Sequence, residues 1–436
     1  MYRAFIYCFV VFCAIISVPE ASADVRLPSV IGSNMVLQRD MPVPLWGWAD
    51  PGENVTVRLG MRQVSATAGK DSLWMVRMPP LEAGGPMELI VRGKNTLTLA
   101  NVVIGEVWVC SGQSNMEMRL CHVNDAANEV ASALNRNIRL FQPVNNLFSE
   151  PQRDCEARWE ECRPSTAYLF SAAAYFFGRE IHRELNVPVG LIHVSWGGTN
   201  AETWMSLAGI RAHPELWPVL DYWDPILKSK SPELLAYYRV TREWEEDVHH
   251  VEYAGKPLLP QYAQPPKLPV RISFAPAVPS WTFNGMIAPL IPYAIRGVIW
   301  YQGESNAGRA YQYRTLFPAL IEDWRRAWGE GEFPFCFVQL ANFGKRRDEP
   351  GESAWAELRE AQSMTLSLVN TAMATAVDIG EADNVHPRNK QEVGRRLVLG
   401  ALNLAYGKKT VYSGPQYASM HIEGDKARIV FNNIGG

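Results

Sequence analysis

A chain of 436 residues is longer than one ordinary domain, and at about 150 residues each two or three are expected. Its 47% hydrophobic and 20% charged residues are those of a globular protein and exclude a disordered chain. A net charge of −3 without a basic run gives no footing for nucleic acid or an anionic membrane as partner.

The first 23 residues read as an export signal rather than as fold. Arg3 is followed by the apolar run Ala4 to Val18, and Ala21-Ser22-Ala23 fits a small-x-small cleavage site, which makes Asp24 the mature start. The run is shorter than the roughly 20 residues of a spanning helix, so a secreted, periplasmic or cell-surface protein is expected, with an uncleaved anchor as the alternative. Cys8 and Cys13 belong to the signal. That leaves Cys110, Cys121, Cys155, Cys162 and Cys336, an odd number, with local bridges Cys110–Cys121 or Cys155–Cys162 open and the pairing undecided.

Residues 24–103 show short alternating runs such as Val55-Thr56-Val57-Arg58-Leu59, split by Asp50-Pro51-Gly52 and Ala83-Gly84-Gly85-Pro86. They predict a small all-β sandwich module. From residue 104 to 408 the rhythm becomes strand, helix, strand. Five strands near 107–110, 189–194, 297–301, 334–340 and 372–378 alternate with helices over 166–185, 311–328, 354–369 and 388–405. This α/β pattern predicts a five-stranded parallel sheet covered on both faces. An insertion at about 206–282, proline-rich from 256, either lies over the cleft or is a plain surface excursion. Residues 409–436 open a C-terminal β segment too short to close on itself, so the chain is either truncated there or returns to the first module's sheet.

Ligands of parallel sheets bind at the carboxyl ends of strands, and those ends carry the polar turns here. Val107-Trp108-Val109-Cys110 breaks into Ser111-Gly112-Gln113-Ser114-Asn115, which puts Ser114 on a tight turn as candidate nucleophile. A serine needs a neighbouring base and a group to orient that base. Asp383-Asn384-Val385-His386-Pro387 offers both, with His386 as base and Asp383 three residues before it as orienter. Pro387 suits a first helical position, which makes His386 the expected cap of the following helix. Asp378 is the rival carboxylate. Ser305 in Gly303-Glu304-Ser305-Asn306-Ala307 is the rival nucleophile, weakened by Glu304 beside it. Oxyanion donors are the Ser114 N–H, the Gly198 N–H in Gly197-Gly198-Thr199, and the Gln302 amide. Arg119, Asn115 and Glu304 are candidate substrate contacts, Arg119 suiting a sugar carboxylate. Fifteen tryptophans could face sugar rings or simply fill the core. No Cys/His cluster calls for a metal.

Four blocks in order, GQSNM at 112–116, WGGT at 196–199, WYQGESN at 300–306 and DNVHP at 383–387, resemble the SGNH (GDSL-like) hydrolases. FNGMIAPL at 283–290 fits as well, and within the superfamily the chain is similar to the sialate O-acetylesterase group. The resemblance implies a three-layer α/β/α sandwich and removal of O-acetyl groups from sugars without metal or cofactor. It also implies Ser114, Asp383 and His386 as triad, and Ser114, Gly198 and Gln302 as oxyanion hole. Gln302-Gly303-Glu304 departs from the superfamily's G-x-N-D block. Sialate, xylan or another acetylated glycan stay open as substrate. An inactive sugar-binding surface module is the reading from another class, and a long-chain lipase would want an apolar lid that the polar insert does not offer.

Overall fold

The computed structural model describes residues 24–227 and 277–434, apart from 347 and 350, with isolated positions in between. The proposed signal and most of the proline-rich insert lie outside the described residues. The described residues form fifteen strands: β1 Val36–Gln38, β2 Val43–Trp48, β3 Asn54–Leu59, β4 Arg62–Thr67, β5 Leu73–Met78, β6 Gly84–Arg92, β7 Thr96–Gly112, β8 Asn135–Phe141, β9 Trp159–Cys162, β10 Val189–Ser195, β11 Gly297–Tyr301, β12 Phe335–Val338, β13 Thr371–Ala374, β14 Gln416–Glu423 and β15 Lys426–Asn432.

The organising strand is β7. Its first half alternates between exposed and half-buried residues, as an antiparallel strand with one wet face does, and pairs antiparallel with β6. From Val102 to Gly112 every residue is buried, and this half runs parallel between β10 and β11. One unbroken strand therefore passes from the leading β region into the central sheet, with β1 pairing alongside Val103–Gly105 at the crossing.

The central sheet has the order β13-β12-β11-β7-β10-β8-β9. Six of these strands are parallel, not five: β8 joins β10 in parallel, and β9 closes that edge antiparallel. β8 escapes a reading based on apolar runs because its opening, Asn135-Arg136-Asn137, is polar and only Ile138–Phe141 are buried. Helix Ala310–Trp328 lays Phe317 on Trp300, Phe335 and Phe337, centroids 5.0–6.2 Å apart, from one side of the sheet. Other positions of the sheet meet other helices. Phe177 of helix Ala172–Leu185 packs edge-on against Trp108, and Gly400 of helix Lys390–Tyr406 closes on Ala372 and Cys336. Those two helices touch through Gly394, where any Cβ would press on Phe176.

Helix ends follow their caps. Ser171 accepts from the Ala174 N–H and Asn389 from the Glu392 N–H, while Asn186, Gly329 and Gly407 close C-termini with positive φ. Asn389, not His386, caps the last helix, which begins at Lys390. The Pro387 carbonyl is taken by a side chain instead of entering the helical ladder. Eleven of the fifteen tryptophans are buried, so their excess goes to the core and not to a sugar platform. None of the five remaining cysteines forms a disulfide among the described residues. Among the described residues β14 and β15 pair only with each other and do not return to the first module's sheet. No described helix is long and apolar enough to cross a membrane.

Candidate active site

The site is built where β7, β10 and β11 end side by side. Gly112, the last residue of β7, has φ +144°, and a Cβ there would be driven into the Tyr301 carbonyl of β11. The chain then turns into a four-residue helix, Ser114–Glu117. Gln113 stitches the turn to its neighbours. Its N–H donates to Tyr301 O at 3.0 Å, and its Oε1 accepts from the Gly303 and Ser305 N–H groups at 3.3 and 3.2 Å. Ser114 is left half-exposed at the mouth, with Gly197 of the β10 turn beside it.

His386 reaches this mouth from a loop 272 residues further on, its Nε2 lying 2.8 Å from Ser114 Oγ. Burial and the nearby Lys390 charge hold the imidazole below its ordinary pKa, which favours the neutral ring that can accept a proton. The Gly198 N–H, on a turn with φ +76°, meets no acceptor among the described residues.

Set beside this geometry, the similarities of the chain are specific. A family model described as "Carbohydrate esterase, sialic acid-specific acetylesterase" matches residues 283–402. The sialate O-acetylesterase of Mus musculus is 32% identical, over 91% of this chain and 76% of that protein. Its Homo sapiens counterpart is 31% identical over 91% and 74%. A crystal structure of a carbohydrate acetylesterase from Xanthomonas citri superposes with a TM-score of 0.76 at 33% identity, covering 94% of this chain and 82% of that one.

The chain belongs to the sialate O-acetylesterase family. It is with that family a carboxylic ester hydrolase.

Several residues of this family member stand elsewhere than their spacing implies. Asp383 is exposed on a turn bridged by Glu381 and Asn384 and makes no hydrogen bond to His386. The intervening Asn384 folds back so that its Oδ1 accepts from the His386 N–H at 3.0 Å. Asp378 is committed to Arg396 in a two-pronged pair at 2.6 and 2.7 Å. Gln302 is fully buried, and both its amide hydrogens are used, on Thr199 O at 3.1 Å and Asn306 Oδ1 at 2.7 Å. It is therefore not a direct oxyanion donor; it anchors the turn that carries Gly198.

Asn115 and Glu304 are likewise not substrate contacts. Asn115 is 1% exposed and donates to Glu304 Oε1 at 2.6 Å, behind the nucleophile. Arg119 remains half-exposed, close enough to Glu117 and His193 for its charge to act on both. No described histidine bonds Ser305, whose N–H is held by Gln113. The enzyme holds a second Ser–His contact, Ser195 Oγ to His193 Nε2 at 2.5 Å, but both residues are 2–3% exposed and the ring is driven down to about 3 by burial and Arg119. That pair is core.

Two neighbours of the site were not marked by any motif. Glu117, one turn after Ser114, accepts the Gly197 N–H at 2.6 Å, and burial pushes its carboxyl above the usual range. Lys390, four residues after His386, is 0% exposed. The i, i+3 and i, i+4 spacings were the available signals. Among the described residues no group of three His, Cys, Asp or Glu side chains could hold a metal.

Proposed function

We propose that this chain is a carbohydrate O-acetylesterase that works with Ser114 as nucleophile and His386 as base. The observation that carries this reading is the 2.8 Å contact between Ser114 Oγ and His386 Nε2. As Ser114 Oγ attacks the acetyl carbonyl, its proton passes to His386. The Ser114 and Gly198 N–H groups stabilise the oxyanion, and the imidazolium returns the proton to the departing sugar oxygen. Water, activated by the same imidazole, then releases acetate and restores Ser114. Intact machinery of this kind argues against an inactive sugar-binding module.

The sialic acid-specific family model and the mammalian relatives favour an acetylated sialic acid as substrate. The carbohydrate acetylesterase of Xanthomonas citri supports the second reading, acetyl groups on another polysaccharide such as xylan. Acetate release from acetylated sialic acid and acetylated xylan, measured side by side, separates the two. A preference of tenfold or more for xylan would remove the sialate assignment.

The same reading takes the fold as a three-layer α/β/α sandwich, 104–408, led by the β-module 24–103, with residues 1–23 exporting the protein. N-terminal sequencing of protein recovered outside the cytoplasm should begin at Asp24; protein retained inside, starting at Met1, would end the export assignment. The reading also sets a pH expectation. Because burial and Lys390 lower the His386 pKa, kcat/KM for an aryl acetate should rise through a midpoint below about 6.5, the ordinary histidine value. A midpoint above that value would mean that another group, or a stabilised imidazolium, limits the rate.

A further inference from the structure

The two backbone donors given to the oxyanion belong to different elements. The Ser114 N–H opens the short helix Ser114–Glu117, and the Gly198 N–H sits on the turn after β10. Two consecutive glycines, Gly197 and Gly198, let that turn come close to substrate but give it no stiffness of its own, so its hold must come from outside. Three contacts supply it. The Trp196 N–H donates to Gly112 O at 3.2 Å, the Thr199 carbonyl accepts from Gln302 at 3.1 Å, and the Gly197 N–H donates to Glu117 Oε2 at 2.6 Å. Of these, the Glu117 contact is the one made by the nucleophile's own helix. A Cβ built on Gly197 would lie 3.0 Å from Glu117 Oε2 and 3.4 Å from Ser114 Cβ, so carboxyl, glycine and nucleophile pack directly on one another. The carboxyl also takes a hydrogen bond from the Asn145 side chain, which leaves it little freedom to turn away.

We propose that Glu117 is a positioning residue of the oxyanion hole: by holding the Gly197 N–H, it sets the Gly198 N–H at a fixed distance from Ser114. This rests on the reading of Ser114 as nucleophile given above. A full negative charge so near a forming oxyanion would oppose it. Two features lessen that opposition. Arg119, a charged group facing Glu117, lies two residues on, and burial pushes the carboxyl above its usual range, toward the neutral form. What the turn needs at this place is an acceptor, not a charge.

The test is steady-state hydrolysis of an aryl acetate, with inhibition by a methyl trifluoromethyl ketone as second readout. Ser114 Oγ adds to the ketone carbon, its proton passes to His386, and the ketone oxygen becomes an oxyanion in the same hole. Its Ki therefore reports the donors without any leaving group. Glu117→Met keeps the reach of the side chain but offers no oxygen to the Gly197 N–H. It should lose about 100-fold in kcat, the low end for loss of one oxyanion donor, and raise Ki about as much. KM should stay within about threefold, because the interaction lost belongs to the transition state. Glu117→Gln restores a neutral acceptor and should remain within about threefold of the parent in both kcat and Ki. If Glu117→Met does not fold, Glu117→Asp decides: its carboxyl is one methylene shorter, drawn back from the Gly197 N–H, and kcat should fall about tenfold or more.

Unchanged kcat in Glu117→Met, or in Glu117→Asp where that variant decides, would overturn the proposal. So would a loss of kcat with Ki for the ketone unchanged, which would place Glu117 in another step. A Glu117→Gln protein as slow as Glu117→Met would overturn it too, since an acceptor alone would then not suffice. Ser114→Ala, assayed alongside, tests the reading beneath. If inactive, it leaves that reading standing whatever Glu117 does; if active, it removes that reading first.

Discussion

Replacing Ser114 with alanine should cut kcat for aryl acetate hydrolysis by about 10⁴-fold or more, with little change in thermal midpoint. The change removes the only hydroxyl among the described residues that is bonded to the His386 ring and leaves the backbone donors in place. The residual rate would come from those donors acting on water. His386→Ala should fall to a similar level, and the double variant hardly further, because the two groups act as one unit. Additive losses would mean that they work in separate steps. Folding should be spared, since Ser114 is half-exposed on a four-residue helix and its side chain fills no core space. Ser305→Ala should retain activity within about threefold, as no described histidine bonds Ser305.

Gly112→Ala should be among the most damaging single changes, costing about 4 kcal/mol or more in urea unfolding or preventing recovery of folded protein. Two penalties coincide there. The backbone has φ +144°, and the new methyl would collide with the Tyr301 carbonyl, a backbone atom fixed in the β11 ladder. Gly52 separates the two effects: its φ is +83° but nothing lies within 4 Å of a Cβ built there. Gly52→Ala should therefore cost only the conformational term, about 1–2 kcal/mol. Equal losses at the two positions would show that crowding at the strand end contributes nothing.

The strands and helices of the central sheet were legible because buried parallel strands read as apolar runs of the right length between amphipathic stretches. β11 matches its expected bounds, 297–301, and helix Ala310–Trp328 begins one residue early. β8 was hidden because half of it is polar and exposed. At the site, motif spacing located the serine and the histidine, whose separation no local pattern could bridge. It failed where side-chain direction decides. In D-x-x-H the spacing alone does not fix where the aspartate side chain goes, and Asp383 is exposed here. Asn115 and Glu304 stand beside the two serines in sequence, yet they point under the turn and not into the cleft. Gln302 has the amide that an oxyanion hole needs, but Thr199 and Asn306 take both of its hydrogens. Lys390 offered only its i, i+4 spacing from His386, and a lysine at a helix start normally reads as surface.

The passage of β7 through two neighbourhoods has a consequence for how this enzyme can be handled. Its leading region is not an appendage on a hinge: Gln38 Oε1 accepts from the Val107 N–H, and Gln38 Nε2 donates to the buried Glu106. Severing the polypeptide ahead of residue 104 would strip partners from the very rod whose tip presents the nucleophile. A substitution that shifts that rod lengthwise would act on Ser114 through it, so distant changes near the amino end belong among the suspects whenever turnover falls without loss of folded protein.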